Sequence, residues 1–302
     1  MLRPLVVILL LLGAGSAAVS YYPPARGAAF FLMGRSEVCS LREAWEAPKH
    51  LDRQIREKDR ILAASRKLEV DAQGYERWST PDGEYWIPKG SHYVLPFNLA
   101  EQARDIYSVP EVHIQTGDVV LDCGANIGVF TRKVLKEGAA KVIAIEPAPE
   151  NLECLRRNFP AEIAAGKVVV YPKGVWDKDD QLTLHVDPHN SAADSFLIKR
   201  EGSHDEVKLP LTTIDKLVNE LQLEKVSFIK MDIEGAEVRA LRGGRQTIAR
   251  FHPRLALSAY HDVADPVEVP KAVREGWNGY RMKCGPCALE PARVRPDILF
   301  FY

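Results

Sequence analysis

From about Gly117 to the C-terminus, short apolar runs alternate with stretches in which apolar residues recur every three or four positions. The runs "VVLD" (119–122), "VIAIE" (142–146), "KVVVY" (167–171), "SFIKMD" (227–232), "RLALSAY" (254–260) and "DILFFY" (297–302) read as strands. Between the first two, Val129 to Glu137 reads as a helix closed by Gly138. Pro149 opens the next helix, with Leu152, Leu155 and Phe159 on one face. A further helix carries Ile214, Leu217 and Leu221 behind a Thr212/Asp215 capping-box variant. Strands apolar on both faces, alternating with helices, predict an α/β fold with a parallel sheet covered on both sides. "QLTLHV" (181–186) alternates polar and apolar residues instead and reads as a peripheral, half-exposed strand.

Upstream the pattern differs. Residues 36–68 favour helix, with a broken apolar stripe at Leu41, Trp45, Leu51, Ile55 and Leu62 and a solvated charged face in "DRQIREKDR" (52–60). "YERWSTPDGEYWIP" (75–88) reads as a hairpin around a Pro-Asp-Gly turn. Met1 to Val19 is apolar and fades into small residues, which fits a membrane anchor or a signal cleaved near Ser16 and Ala18. "YYPPARG" follows as a stiff linker. Arg26, Arg35 and Arg42 lie beyond the apolar stretch against Arg3 before it, so an uncleaved anchor keeps the body cytoplasmic; the alternative is export after cleavage. The expected units are therefore 1–22 (signal or anchor), 23–70 (linker and charged helix), 71–116 (hairpin and helix) and 117–302 (the α/β domain).

With 302 residues, 46% hydrophobic and 27% charged, the chain has ample core material. A formal net charge of −1 argues against a nucleic-acid partner. Five cysteines are an odd number for a disulfide framework, and the "CGPC" of Cys284 and Cys287 reads as a turn between strands. It lacks the following helix of a redox motif, and zinc needs further ligands that the sequence does not identify.

"VVLDCGANIGVF" (119–130) is the first chemical motif. Asp122 ends a strand, and Gly124, Ala125, Asn126 and Gly128 turn the chain into a helix. A nicotinamide enzyme needs GxGxxG so that pyrophosphate can rest on helix amides. This loop lacks that spacing and places a carboxylate where phosphate would sit. Glu146, closing the second strand, is placed to accept hydrogen bonds from ribose hydroxyls. A nucleoside without phosphates that carries a cation is S-adenosylmethionine.

These residues, "VVLDCGANIGVF" with "VIAIEPAPENLECLRRNF", resemble the first two motifs of class I S-adenosylmethionine methyltransferases. "FIKMDIEGAEVRALRGG" (228–244) resembles the signature of the FkbM-type branch, and the resemblance covers roughly 75–302. It implies a Rossmann-like sheet of seven strands with the last antiparallel, and methyl transfer to oxygen, often on sugars or polyketides. By position it sets Asp122, Gly124, Ala125, Asn126 and Gly128 around the methionyl end and Glu146 at the ribose. It sets Val175 and Trp176, within "GVW", near the adenine edge. The chain departs from one subgroup by carrying "YRMKCGPCALEP" where that subgroup ends on a Tyr-x-x-x-x-Arg-His strand.

Asp232 ends a strand expected beside the one bearing Asp122, which makes it the first candidate to orient or deprotonate an acceptor hydroxyl. Glu234 reads as opening the next helix, either as its cap or as an acceptor ligand. Glu237 reads as a solvated first-turn residue, and Lys230 as one half of an ion pair or a substrate contact. His261, at another strand end, is the second base candidate. Tyr260 reads as packing, and His185 and His189 as surface residues. No third oxygen ligand for magnesium is identifiable, so no metal is expected. The expected activity is O-methylation of a small-molecule or glycan hydroxyl, with the membrane contacted through the N-terminal segment. The alternatives are N-methylation of a small molecule and an inert S-adenosylmethionine-binding module.

Overall fold

The computed structural model of the chain describes residues 21–186 and 204–302. Apart from Tyr21 and Tyr22, the expected signal or anchor lies outside the described residues, as does His189. Among the described residues no helix is long and apolar enough to cross a membrane. The expected linker is instead a helix, Pro23–Leu32. Its prolines occupy the first turn, where a missing N–H removes no intrahelical bond. A long helix, Leu41–Ala64, follows behind a capping box in which the Ser40 hydroxyl accepts from the Glu43 amide and Glu43 accepts from the Ser40 amide. It ends before residue 68 because β1 (Arg66–Val70) pairs antiparallel with β2 (Glu76–Thr80). β2 and β3 (Gly83–Ile87) form the expected hairpin, closed by the pairing of Thr80 with Gly83.

After the helix Val94–Ala103, the α/β domain unfolds in chain order: β4 (Val119–Cys123), β5 (Lys141–Ile145), β6 (Val168–Tyr171), β7 (Gly174–Val175), β8 (Asp180–Val186) and β9 (His204–Thr212). Then come β10 (Phe228–Met231), β11 (Arg254–Ser258), β12 (Met282–Cys284), β13 (Cys287–Leu289), β14 (Val294–Pro296) and β15 (Ile298–Phe301). The main sheet has seven strands in the order β12-β15-β11-β10-β4-β5-β6. The contacts among β6, β5, β4, β10 and β11 are parallel, and β15 runs antiparallel to both β11 and β12. β8 belongs to a small separate sheet with β7 and β9, in keeping with its alternating pattern.

Strand alternation divides the core between two faces. Leu121, Ile143, Ile229, Leu255 and Leu299 pack on one side with Leu217, Leu241, Ile248 and Val273 from the covering helices. Val120, Val142, Phe228, Ala256 and Phe300 pack on the other with Phe130, Val134 and Tyr107. Each fully buried large side chain contributes on the order of 1.5–3 kcal/mol, so the strand ends are held in register by a deep two-sided core. The helix Ile214–Glu220 is capped by Thr213 rather than Thr212, its hydroxyl accepting from the Lys216 amide. Asp215 instead accepts from the amides of Gln246 and Thr247, at the start of the helix Arg245–Phe251.

Strand order reverses at β4 and β10, whose carboxyl ends lie side by side. In open α/β sheets ligands bind in the crevice at such a point.

Candidate active site

The turn after β4 approaches the turn after β10 so closely that only glycine fits. Gly124 has φ +78°, and a Cβ there would lie 1.9 Å from the Asp232 carbonyl oxygen. Gly128, φ +91°, begins the helix Val129–Lys136 against the Phe159 ring, 2.2 Å from where its Cβ would be. Glu146 reaches back from the end of β5: its Oε2 accepts from the Asn126 amide at 2.9 Å and its Oε1 from the Ala148 amide at 2.8 Å. Burial raises its carboxyl despite these amides. The glycine turn is thus clamped to the next strand by the carboxylate assigned to the ribose.

Asp122 is fully buried and does not line the crevice. Its Oδ2 accepts from the Thr131 hydroxyl at 2.7 Å, and its Oδ1 lies 3.3 Å from Lys230 Nζ. Lys230 also donates to the Gly124 carbonyl at 2.8 Å, so the pair ties β4, β10 and the glycine turn together. Asp122 therefore acts on a ligand through the turn that it braces. Val175 and Trp176 are buried, Trp176 packing on Leu211 and Ala236, and neither lines the crevice at Gly124.

That crevice is a cavity of about 60 Å³ between Gly124, Ala125, Asn126, Phe130, Lys230, Asp232, Tyr107 and Glu101. The carboxyl groups of Asp232 and Glu101 line it together with the Lys230 ammonium, so charges of both signs meet at the end of the glycine turn. A second cavity, of about 520 Å³, shares Glu101 and Tyr107 with the first and extends to Tyr260, His50, Arg26, Leu289 and Arg295.

Asp232 stands at the junction. Its Oδ2 accepts from the Tyr107 hydroxyl at 2.7 Å and its Oδ1 from the Tyr260 hydroxyl at 3.3 Å, so Tyr260 does more than pack. Burial alone would raise its carboxyl, but the charges of Lys230 and His261 and the Tyr107 hydrogen bond hold it below the usual range. Asp232 is a fixed anion and correspondingly a weak base.

The segment after it differs from expectation. Glu234 does not open a helix: it sits in a turn at φ +56°, and the helix Glu237–Arg242 begins three residues later. The amide contact falls to Glu237, whose Oε1 accepts from the Ile233 amide at 2.9 Å. Glu237 is 0% exposed rather than solvated, because the helix start folds under His261. His261 Nδ1 lies 3.1 Å from Glu237 Oε1, and its Nε2 lies 3.5 Å from Asp232 Oδ1 and 3.6 Å from Glu234 Oε1. Burial opposes its charge, but Glu237, Glu234 and Asp232 outweigh burial and hold the imidazole well above its ordinary pKa. The donor atoms of Asp232, Glu234 and His261 lie within 4.8 Å of one another, and the protonated ring offsets part of the carboxylates' charge.

Two residues of this site escaped the sequence reading. Tyr107 follows the helix Val94–Ala103 in an unremarkable "DIYSVP", and Glu101 lies on that helix. Burial and the neighbouring Asp232 push the Glu101 carboxyl up to about 8. No local signal marks either, since both matter only because this helix packs over the sheet end.

A parallel sheet that opens its ligand crevice on an acid-lined glycine turn, without a phosphate cradle, is that of an S-adenosylmethionine-dependent methyltransferase. The model of the methyltransferase FkbM domain matches residues 122–276, and the chain belongs to this family. Hexuronic acid methyltransferase AglP of Haloferax volcanii is 29% identical over 174 residues, which cover 57% of this chain and 68% of that protein. 31-O-demethyl-FK506 methyltransferase FkbM of Streptomyces tacrolimicus is 26% identical over 176 residues, 47% of this chain and 68% of that one. Among solved structures, methyltransferase FkbM from Methylobacillus flagellatus KT matches with 18% identity and a TM-score of 0.46, over 86% of this chain and 62% of that one.

Proposed function

We infer that this methyltransferase acts on oxygen, at a hydroxyl of a carbohydrate acceptor held in the larger cavity. The observation that carries the reading is the place of Asp232. It lines the cofactor crevice while its carboxylate is held by Tyr107 and Tyr260, which line the larger cavity. A relative named for methylating a hexuronic acid supports a sugar acceptor, and one named as a 2-O-methyltransferase supports transfer to oxygen.

In this reading Gly124, Ala125, Asn126, Gly128 and Glu146 hold S-adenosylmethionine, which supplies a methyl group on a sulfonium. The protein contributes alignment and exclusion of water, effects that together reach about 7–11 kcal/mol. Asp232, kept ionised, orients the acceptor hydroxyl. Glu101, which lines both cavities and ionises near neutrality, takes the proton that the hydroxyl loses; a matched base contributes about 10²–10⁴-fold. His261 offsets part of the negative charge of Asp232, Glu234 and Glu237, and Glu234 helps to hold the ring in place.

The test is incubation of the full chain with methyl-labelled S-adenosylmethionine and separated uronic-acid glycans, neutral glycans, glycolipids and amine-bearing metabolites. Label released from a glycan as a methyl ether supports the reading. Label only on amines replaces it with N-methylation. The pH profile then addresses Glu101: turnover rises as pH approaches about 8 in the native enzyme, and Glu101→Gln flattens that rise without weakening cofactor binding.

The apolar Met1–Val19 and the arginines after it support a body held at a membrane on the side where the cofactor is made. Cell fractionation with protease protection tests this; an exported chain beginning near residue 20 sinks it.

A further inference from the structure

The fold brings together three sulfurs where a disulfide uses only two. Cys39 and Cys287 are bonded across a sequence separation of 248 residues. Cys284 Sγ lies 3.5 Å from Cys39 Sγ and 3.3 Å from Cys287 Sγ. Being nearly equidistant from both, Cys284 sits beside the bond and off its axis, which is a poor position for exchange: a thiolate attacks a disulfide along the axis of the breaking bond. A triangle of sulfurs is, however, the arrangement that a thiophilic metal ion requires. In a tetrahedral site with Zn–S of about 2.3 Å, neighbouring sulfurs stand about 3.8 Å apart. Two sides of this triangle already come within about half an ångström of that spacing, and reduction of the third releases it to open.

We propose that, in the reduced chain, Cys39, Cys284 and Cys287 form a three-thiolate site for a thiophilic metal ion such as Zn²⁺ or Cu⁺. The chemistry balances with a thiol or phosphine reductant: two electrons and two protons convert the Cys39–Cys287 bond to two thiols. Metal binding then displaces the three thiol protons to solvent. A fourth position is left to water or an added ligand, as in zinc sites with three protein ligands. Sequence spacing alone offers only the Cys284/Cys287 pair; the third ligand comes from just before the helix Leu41–Ala64, which lies against the β13–β14 hairpin. The ion would hold in reducing conditions the same junction that the disulfide holds in oxidising ones, between two walls of the larger cavity.

The full chain, reduced anaerobically with a phosphine and titrated with Co²⁺, tests the site. The expected result is one equivalent of Co²⁺ bound with a near-ultraviolet thiolate-to-cobalt charge-transfer band, bleached by an equivalent of Zn²⁺. Cys284→Ser should weaken binding by about tenfold or more, a change of the size seen even for outer partners of metal ligands. The same variant should leave the thermal unfolding of the oxidised chain unchanged, since Cys284 is outside the disulfide. Absence of the band in the reduced native chain overturns the proposal, as does a band of equal strength and affinity in Cys284→Ser. Persistence of the Cys39–Cys287 bond under the reductant overturns it too. The readout is independent of methyl transfer, so failure of the acceptor assignment leaves it standing.

Discussion

The Tyr107 hydroxyl donates to Asp232 Oδ2 at 2.7 Å, across 125 residues of chain. This bond fixes one oxygen of the carboxylate toward the larger cavity. Tyr107→Phe removes one hydrogen bond to a charge, of about 1.5–3 kcal/mol. It should lower turnover about ten- to a hundredfold while S-adenosylmethionine affinity by calorimetry stays the same.

Asp232→Asn keeps the shape and removes the charge. Turnover should fall at least as far as in Tyr107→Phe, with cofactor affinity again little changed. Adding Tyr107→Phe to Asp232→Asn should cost little more, because the two act as one unit. Additive losses would break that link.

His261→Gln strands the fully buried Glu237. Breaking a buried pair in this way costs about 3–5 kcal/mol at neutral pH, read from denaturant unfolding. The sign with pH follows from the raised imidazole pKa. The stabilisation is fully present below the unfolded value of about 6.5, and it is lost as pH rises through the folded value. The gap between native and variant should therefore narrow in alkaline solution. A constant gap would mean that His261 contributes packing and no charge.

Asp122→Ala and Glu146→Ala should separate two ways of losing the cofactor. Glu146→Ala releases the Asn126 and Ala148 amides and should weaken S-adenosylmethionine binding with a modest stability change. Asp122→Ala leaves the 5%-exposed Lys230 without its paired carboxylate, so lower stability should accompany its loss of affinity. Equal unfolding midpoints in the two variants would contradict this division.

Gly124→Ala sets a methyl group against the Asp232 carbonyl in a left-handed turn. It should abolish cofactor binding more completely than either carboxylate variant, since the two turns must part to admit it.

The sequence made the sheet legible because each central strand is apolar on both faces and ends on a chemical residue: Asp122, Glu146 and Asp232. It hid β12, whose "MKC" has neither length nor pattern, and the helix Pro23–Leu32, whose paired prolines look like a break although they suit a first turn. At the site, strand-end position was enough to single out Asp232 and His261. It could not give their states. His261 reads as a free base until Glu237 is found buried against it, and Glu237 reads as solvated until the helix start is placed three residues later. Glu101 and Tyr107 were illegible for a different reason, since their roles depend on where one helix lies across the sheet, and no local pattern encodes that.

The two cavities draw on different spans of the chain. The smaller is lined by residues between Asn98 and Asp232, whereas the larger needs Pro23 and Arg26 from one end and Arg295 and Ile298 from the other. Contacts between chain ends carry the largest loop-closure entropy and form late. During synthesis, the residues that line the smaller cavity have therefore all left the ribosome before the last of those that line the larger one. Loss of the residues up to Arg26 would therefore open the larger cavity while leaving the lining of the smaller one whole.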